Sequence, residues 1–406
     1  MVPKNWKLSS LEEIAKVSSG GTPSRQVAEY WGGAIPWVTT AEVHFGTILD
    51  SAEKITMEGL NNSSAKLFPV NTILMAMYGQ GKTRGQVAKL GIEATTNQAC
   101  AAILLNDDHD VEYYFQFLMS RYEHIREMSN SGGQENLSGG IVKSIQVPVP
   151  PLLEQKKIAQ ILATWDQVIA TTERLLALAR SQKKALMQQL LTGKKRLLKK
   201  NGGRFTEEWV NTTIESVGEV FSGGTPSRTK DEYFGGEIPW ITSGKLNDRF
   251  VFSVDEFITE SGLKNSSAKA VKNGCILVAM YGATAGKVAL NKLTGATINQ
   301  AILAIEPEDE YNNLFLFYFL ELEMLKTLKL VQGGQPNLNA AIIKSVKINL
   351  PVLEEQQKIA DVLNSADQEI ETFQSQLDSL KQEKKALMQA LLTGKRRVTL
   401  EKEMPC

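Results

Sequence analysis

Histidine and cysteine are scarce in this sequence: 406 residues hold three of each. The cysteines, Cys100, Cys275 and Cys406, stand far apart. That spacing excludes a disulfide framework and a cysteine-rich zinc site, and it fits a reducing cytosol. The histidines, His44, His109 and His124, form no HExxH motif and no cluster with cysteine or carboxylate. Acid–base and nucleophilic catalysis therefore have little material. Net charge is missing too, since 45 Lys and Arg balance 45 Asp and Glu. A nucleic-acid binder would have to rely on local patches. The longest apolar run, Leu314-Phe-Leu-Phe-Tyr-Phe-Leu320, stops at Glu321, far short of the ~20 residues of a membrane span. Met1-Val-Pro-Lys-Asn-Trp6 lacks the apolar run of a signal peptide, so a cytoplasmic location is expected. With 42% hydrophobic and 22% charged residues, the chain reads as globular, with two to three domains.

What is present in abundance is self-similarity. Gly20-Gly-Thr-Pro-Ser-Arg25 recurs as Gly223-Gly-Thr-Pro-Ser-Arg228, and Ile35-Pro-Trp37 as Ile238-Pro-Trp240. Asn62-Ser-Ser-Ala-Lys66 recurs as Asn265-Ser-Ser-Ala-Lys269, and Ala76-Met-Tyr-Gly79 as Ala279-Met-Tyr-Gly282, all at one offset. Asn97-Gln-Ala99 then matches Asn299-Gln-Ala301, and Gly133-Gln-Glu-Asn-Leu137 matches Gly334-Gln-Pro-Asn-Leu338. Finally Ala185-Leu-Met-Gln-Gln-Leu-Leu-Thr-Gly-Lys194 matches Ala386-Leu-Met-Gln-Ala-Leu-Leu-Thr-Gly-Lys395. A period of about 200 residues is too long for a solenoid, so a whole domain and a helix are duplicated.

Each copy has two textures. Residues 1–150 and 201–350 mix short β-like runs, such as 72–77 and 275–280, with turn signals and one helical stretch (111–128 and 311–330). They read as α+β, or mixed α/β, globules. Residues 151–200 and 351–406 begin after Pro151 and Pro351 and run free of Pro and Gly over 154–192 and 354–393. Ile158, Leu162, Trp165, Ile169, Thr172, Leu176, Ala179, Lys183, Leu186 and Leu190 alternate spacings of four and three. Ile359, Leu363, Ala366, Ile370, Phe373, Leu377, Leu380, Lys384, Leu387 and Leu391 do the same. This is a coiled-coil seam, and Gly193 and Gly394 are placed to end the helices. Each helix should be about 58 Å long at about 1.5 Å per residue. The linker after Gly193 reaches at most ~45 Å, which favours antiparallel pairing. Two globules and a spacer with a pseudo-twofold repeat are expected.

Nucleotide chemistry finds no support. Gly79-Gln-Gly-Lys-Thr83 resembles a phosphate loop, but Ala76 stands where a Walker A motif needs Gly, and the second copy lacks the Lys-Thr pair. Gly20-Gly21 and Gly223-Gly224 precede Thr-Pro and cannot open a dinucleotide-binding helix. Glu306-Pro-Glu-Asp-Glu310 is acidic in one copy only and reads as a solvated loop.

What remains is a binding surface whose side chains suit base edges and phosphates. In the first copy the candidates are Thr22, Ser24 and Arg25, then Thr39 and Thr40, then Ser64 and Lys66. Tyr78, Lys82, Thr83 and Arg84 follow, with Gln134 and Asn136 last. In the second copy they are Thr225, Ser227 and Arg228, then Thr242, Ser243 and Lys245. Lys269, Tyr281 and Lys287 follow, with Gln335 and Asn337 last. Each also has an ordinary structural reading, as a solvated Lys, a capping Asn or a core-edge Tyr. Ile-Pro-Trp and Asn-Gln-Ala read as structural. The basic run Arg180, Lys183, Lys184, Lys194, Lys195, Arg196, Lys199 and Lys200 is either a solvated face or a path for nucleic acid or an acidic partner.

These residues together resemble the specificity subunits of type I restriction-modification enzymes. The globular blocks look like target recognition domains, and Pro150-Pro-Leu-Leu-Glu-Gln-Lys-Lys-Ile-Ala159 and Pro351-Val-Leu-Glu-Glu-Gln-Gln-Lys-Ile-Ala360 look like the family's conserved helices. The resemblance implies a non-catalytic subunit that binds no cofactor itself. Double-stranded DNA, two methylation subunits and restriction subunits are its implied partners, with S-adenosylmethionine, ATP and Mg expected on those subunits. It implies an asymmetric bipartite target, each domain reading one half. A helix length corresponds to at most ~17 base pairs between head centres. A coiled-coil scaffold with two protein- or glycan-binding heads is the alternative, and a phosphate-loop hydrolase ranks behind it. Met187, Leu191, Met388 and Leu392 widen the apolar face beyond the seam, and a partner helix is expected to cover them. Lys183 and Lys384 sit at equivalent seam positions, and the ring of Trp165 is the expected acceptor for Lys384.

Overall fold

The computed structural model describes residues 3–79, 81–128, 136–330 and 338–399. Gln134, Gln335 and Asn337 lie outside the described residues. The chain divides into two compact units, Met1–Glu173 with Ser375–Cys406, and Arg174–Gln374. The division falls inside both long helices, so each unit takes half of each helix; the sequence boundaries at about 150, 200 and 350 mark changes of texture.

In the first unit Ala15–Ser19, Cys100–Leu105, Ile73–Ala76, Val87–Leu90 and Thr47–Ile48 form a five-stranded sheet in that order. The central strand Ile-Leu-Met-Ala is buried at every position because both faces of the sheet are covered. Ile73 and Met75 enter a core with Tyr113, Phe117 and Leu118 of helix Val111–Ser120. Leu74 and Ala76 point the other way, into a core with Val38, Phe68 and Cys100. A second sheet orders Glu53–Ile55, Trp31–Val38 and Thr95–Thr96. Lys7–Ser10 pairs antiparallel with Gln146–Val149.

The second unit repeats this plan. Gly218–Ser222, Ile302–Pro307, Ile276–Ala279, Val288–Asn291 and Phe250–Val251 form the five-stranded sheet. The smaller sheet orders Glu256–Ile258, Phe234–Ile241, Ala296–Ile298 and Lys269–Val271. The last strand reduces in the first unit to a single bridge, Phe68 to Ala94.

The long helices span Leu152–Leu190 and Leu353–Leu392. Every seam position named above is buried or half-buried. Gly193 and Gly394 follow with φ of +70° and +72°, the left-handed turn that ends a helix. The helices run antiparallel within each unit. In the first, Asp166 meets Lys384 and Glu173 meets Lys381; in the second, Arg180 meets Gln374 and Lys183 meets Asp367.

Two expectations need correction here. Met187 and Leu191, and likewise Met388 and Leu392, are buried by the globule of their own unit, each at 8% exposure or less. They leave no apolar face for a partner helix, because the globule packs on the helix flank. The partner of Lys384 is also not Trp165 but the next residue. Lys384 Nζ donates to Asp166 Oδ1 at 2.6 Å and lies 3.3 Å from Gln116 Oε1. A buried ammonium is better matched by a carboxylate than by a ring face.

Candidate DNA-recognition surface

The repeated blocks meet because they pack on one another. The backbone N–H of Gly21 donates to Thr96 O at 2.8 Å, and Gly20 lies so close that a Cβ would sit 1.9 Å from the same oxygen. A Cβ at Gly21 would strike Ser64. Trp37 Nε1 donates to Gly21 O at 2.9 Å, and Thr22 donates to Gln98. The second unit repeats these contacts through Trp240 to Gly224 O, Thr225 to Gln300, and Gly223 against Ile298. Ile-Pro-Trp and Asn-Gln-Ala are thus structural. Asn97 and Asn299 cap their own turns by accepting from Ala99 and Ala301.

This frame carries the candidates. Arg25 Nη2 donates to Glu53 Oε2 at 2.8 Å, and its guanidinium lies 3.7 Å from the Trp31 ring centroid. Arg228 pairs with Glu256 at 2.7 Å over Phe234 and Trp240. Both arginines stay about half exposed, so they are pre-oriented and reach the surface. Donating to Glu53 raises the Arg25 pKa. Glu53 and Glu256 were not among the sequence candidates; their matched place in the repeat was the available signal.

Ser24, Ser64, Lys66, Tyr78, Lys82, Ser227, Lys269, Tyr281 and Lys287 are exposed. Thr22, Thr39, Thr40, Thr83, Asn136, Thr225, Thr242, Ser243 and Lys245 are half-buried. Leu137 N–H donates to Met77 O, and Leu338 N–H to Met280 O, which brings Asn136 beside the Tyr78 strand end. Lys82 lies on a turn held from below by helix Tyr122–Glu127: Arg126 Nη2 donates to Gly81 O at 2.9 Å and Tyr122 to Lys82 O. In the second unit Gly282 and Gly286 frame a turn whose Thr284 is buried.

Three candidates are less available than their residue types suggest. Arg84 is 7% exposed and turns into the globule, so it cannot present its guanidinium. Lys245 is held by Asp248 at 3.1 Å and by Asp255 at 3.6 Å. Lys269 reaches back over the Phe221 ring, 5.1 Å from its centroid.

The basic run divides as well. Lys183, Arg196 and Lys199 are committed to Asp367, Glu355 and Glu207. The Arg196 pair recurs as Arg397 with Glu154, whose carboxylate also accepts from Trp6. Both glutamates are buried at the starts of the long helices. Their neighbours Gln155 and Gln356 donate to Pro150 O and Pro351 O, which explains the repeated Pro-x-Leu-x-Glu-Gln stretch. Arg180, Lys184 and Lys287 instead line a cavity of about 410 Å³ in the second unit. No group of three or more metal-binding side chains occurs among the described residues, and no described helix is long and apolar enough to cross a membrane.

The model of the type I restriction modification DNA specificity domain matches residues 3–179 and again 206–382. The MjaVIII type I restriction enzyme specificity subunit of Methanocaldococcus jannaschii is 26% identical over 98% of this chain and 94% of that protein. The EcoR124I/EcoR124II specificity subunit of Escherichia coli is 34% identical over 40% of each. The fold is shared with the S subunit from M. genitalium, at TM-score 0.59, 16% identity and 96% coverage of both chains. It is also shared with the HsdS subunit from Thermoanaerobacter tengcongensis, at TM-score 0.53, 18% identity and coverage of 97% and 98%. The chain belongs to the type I restriction-modification DNA specificity family, with two such domains joined by its long helices.

Proposed function

We propose that this chain is the non-catalytic specificity subunit of a type I restriction-modification system, reading an asymmetric bipartite DNA target with one half-site per head. The observation that supports this is a common frame carrying different loops. Both heads present a pre-oriented arginine and an exposed tyrosine, at Arg25 and Tyr78 and at Arg228 and Tyr281. They differ in sequence where Gln80-Gly-Lys-Thr-Arg84 of one corresponds to Ala283-Thr-Ala285 of the other. Divergent loops on a fixed scaffold are where different bases would be read. Ser24, Lys66, Lys82, Ser227 and Lys287 are the exposed contacts we assign first, with Arg180 and Lys184 facing phosphates beside Lys287.

Methylation subunits, carrying S-adenosylmethionine, dock on the long helices in this proposal, and restriction subunits with ATP and Mg join them in the cytoplasm. Leu175 and Leu178, 42% and 62% exposed on the first long helix, offer the apolar contact that Met187 and Leu191 do not. Sequencing the modified adenines in a host that carries this chain with its methylation subunit tests the reading. A gapped, asymmetric motif is expected, and a palindromic or continuous motif would sink it. Duplex binding by the complex should also weaken steeply with salt.

A further inference from the structure

We infer that Arg249 is a positioning residue that fixes the second head on the long helices and so sets which half-site spacing the protein accepts. The inference rests on the bipartite reading above. Arg249 ends the divergent segment that follows strand Phe234–Ile241, directly after the 3-10 turn Ser243–Asp248. Its φ of +54° is one that arginine rarely adopts. From that turn the side chain reaches helix Asn313–Leu330 and the second long helix. Nε and Nη2 donate to Glu321 at 2.6 and 2.8 Å, while Nη1 and Nη2 donate to Asp367 at 3.1 and 3.2 Å. Asp367, on the second long helix, also accepts from Lys183 of the first at 2.6 Å and from Tyr318 at 2.7 Å.

One guanidinium therefore ties a recognition segment, helix Asn313–Leu330 and both long helices into a single polar network within the second unit. Burial disfavours the charged forms here, yet the network outweighs it: Asp367 is held below the usual carboxylate range and Arg249 is raised. In the first unit Gln116 of helix Val111–Ser120 joins the equivalent Lys384–Asp166 pair, donating to Asp166 Oδ2 at 2.8 Å, but no guanidinium from the recognition segment enters it, because Gly46 precedes strand Thr47–Ile48 where Arg249 precedes Phe250–Val251. Asp166 accordingly keeps 45% of its side chain exposed, against 7% for Asp367.

The test uses the full chain with its methylation subunit and a set of duplexes. These carry the native half-sites at the native gap and at gaps one base pair shorter and longer. If the wild-type complex methylates none of them, the bipartite reading fails before any variant is read. If it prefers one gap, Arg249→Met should flatten the preference. Methylation at the native gap should fall by roughly 10- to 100-fold, since misplacement by about 1 Å can cost that much, while the neighbouring gaps change little. Arg249→Lys should restore part of the preference. A defect of folding alone would lower all gaps in proportion and overturn the inference, as would an unchanged profile. If Arg249→Met does not fold, Glu321→Gln, which removes one carboxylate from the guanidinium, is read in the same way and decides.

Discussion

Replacing Asp367 by alanine is expected to destabilise the second unit by about 3 kcal/mol. The Asp367 side chain is buried and its carboxylate serves Lys183, Arg249 and Tyr318 together. Its removal leaves the buried Lys183 ammonium only Glu321, at 3.8 Å, which it then shares with Arg249. Asp166→Ala in the first unit should cost less, about 1.5 kcal/mol. Water reaches Asp166, and Gln116 remains beside Lys384 to accept a hydrogen bond. Denaturant unfolding of the two variants, followed by probes in each unit, checks the difference. Equal losses would mean that the two seam pairs carry equal weight in spite of their different burial.

Gly20→Ala is expected to cost about 3 kcal/mol, the upper range of overpacking. The added methyl would sit 1.9 Å from the carbonyl oxygen of Thr96 and 2.5 Å from its carbon. Thr96 is itself buried in a paired strand, so neither backbone can yield cheaply. Gly32→Ala is the control. Its φ is +76° but nothing lies within 4 Å of the new carbon, and about 1 kcal/mol is expected from the backbone alone. Thermal unfolding should show the first variant losing the first unit while the second unit's transition stays in place. A neutral Gly20→Ala would mean that the Gly-Gly-Thr-Pro-Ser block recurs for some reason other than close packing.

The repeat, the long helices and their end at Gly193 and Gly394 are written as periodicity and punctuation, which depend on local geometry. The β runs at 72–77 and 275–280 are central strands because an unbroken apolar run needs cover on both faces. Sheet order is another matter, since it depends on pairings between distant segments such as Trp31–Val38 with Thr95–Thr96. The same distance hid the partners of the candidate residues. Arg25 reads as a free cation until Glu53 is brought to it, and Arg196 until Glu355 is. Lys384 was expected on a ring and found the adjacent carboxylate. Met187 and Met388 were expected to await a partner, because a helical wheel shows an apolar flank but not the globule that covers it.

Two heads that read DNA independently can be exchanged one at a time. The direct measurement is a chimera in which residues 1–150 are replaced by those of another specificity subunit, followed by sequencing of the adenines methylated by its complex. One half-site is expected to change to that of the donor. The half-site read by residues 201–350 should stay as it was. A change in both half-sites, or in neither, would contradict independent reading.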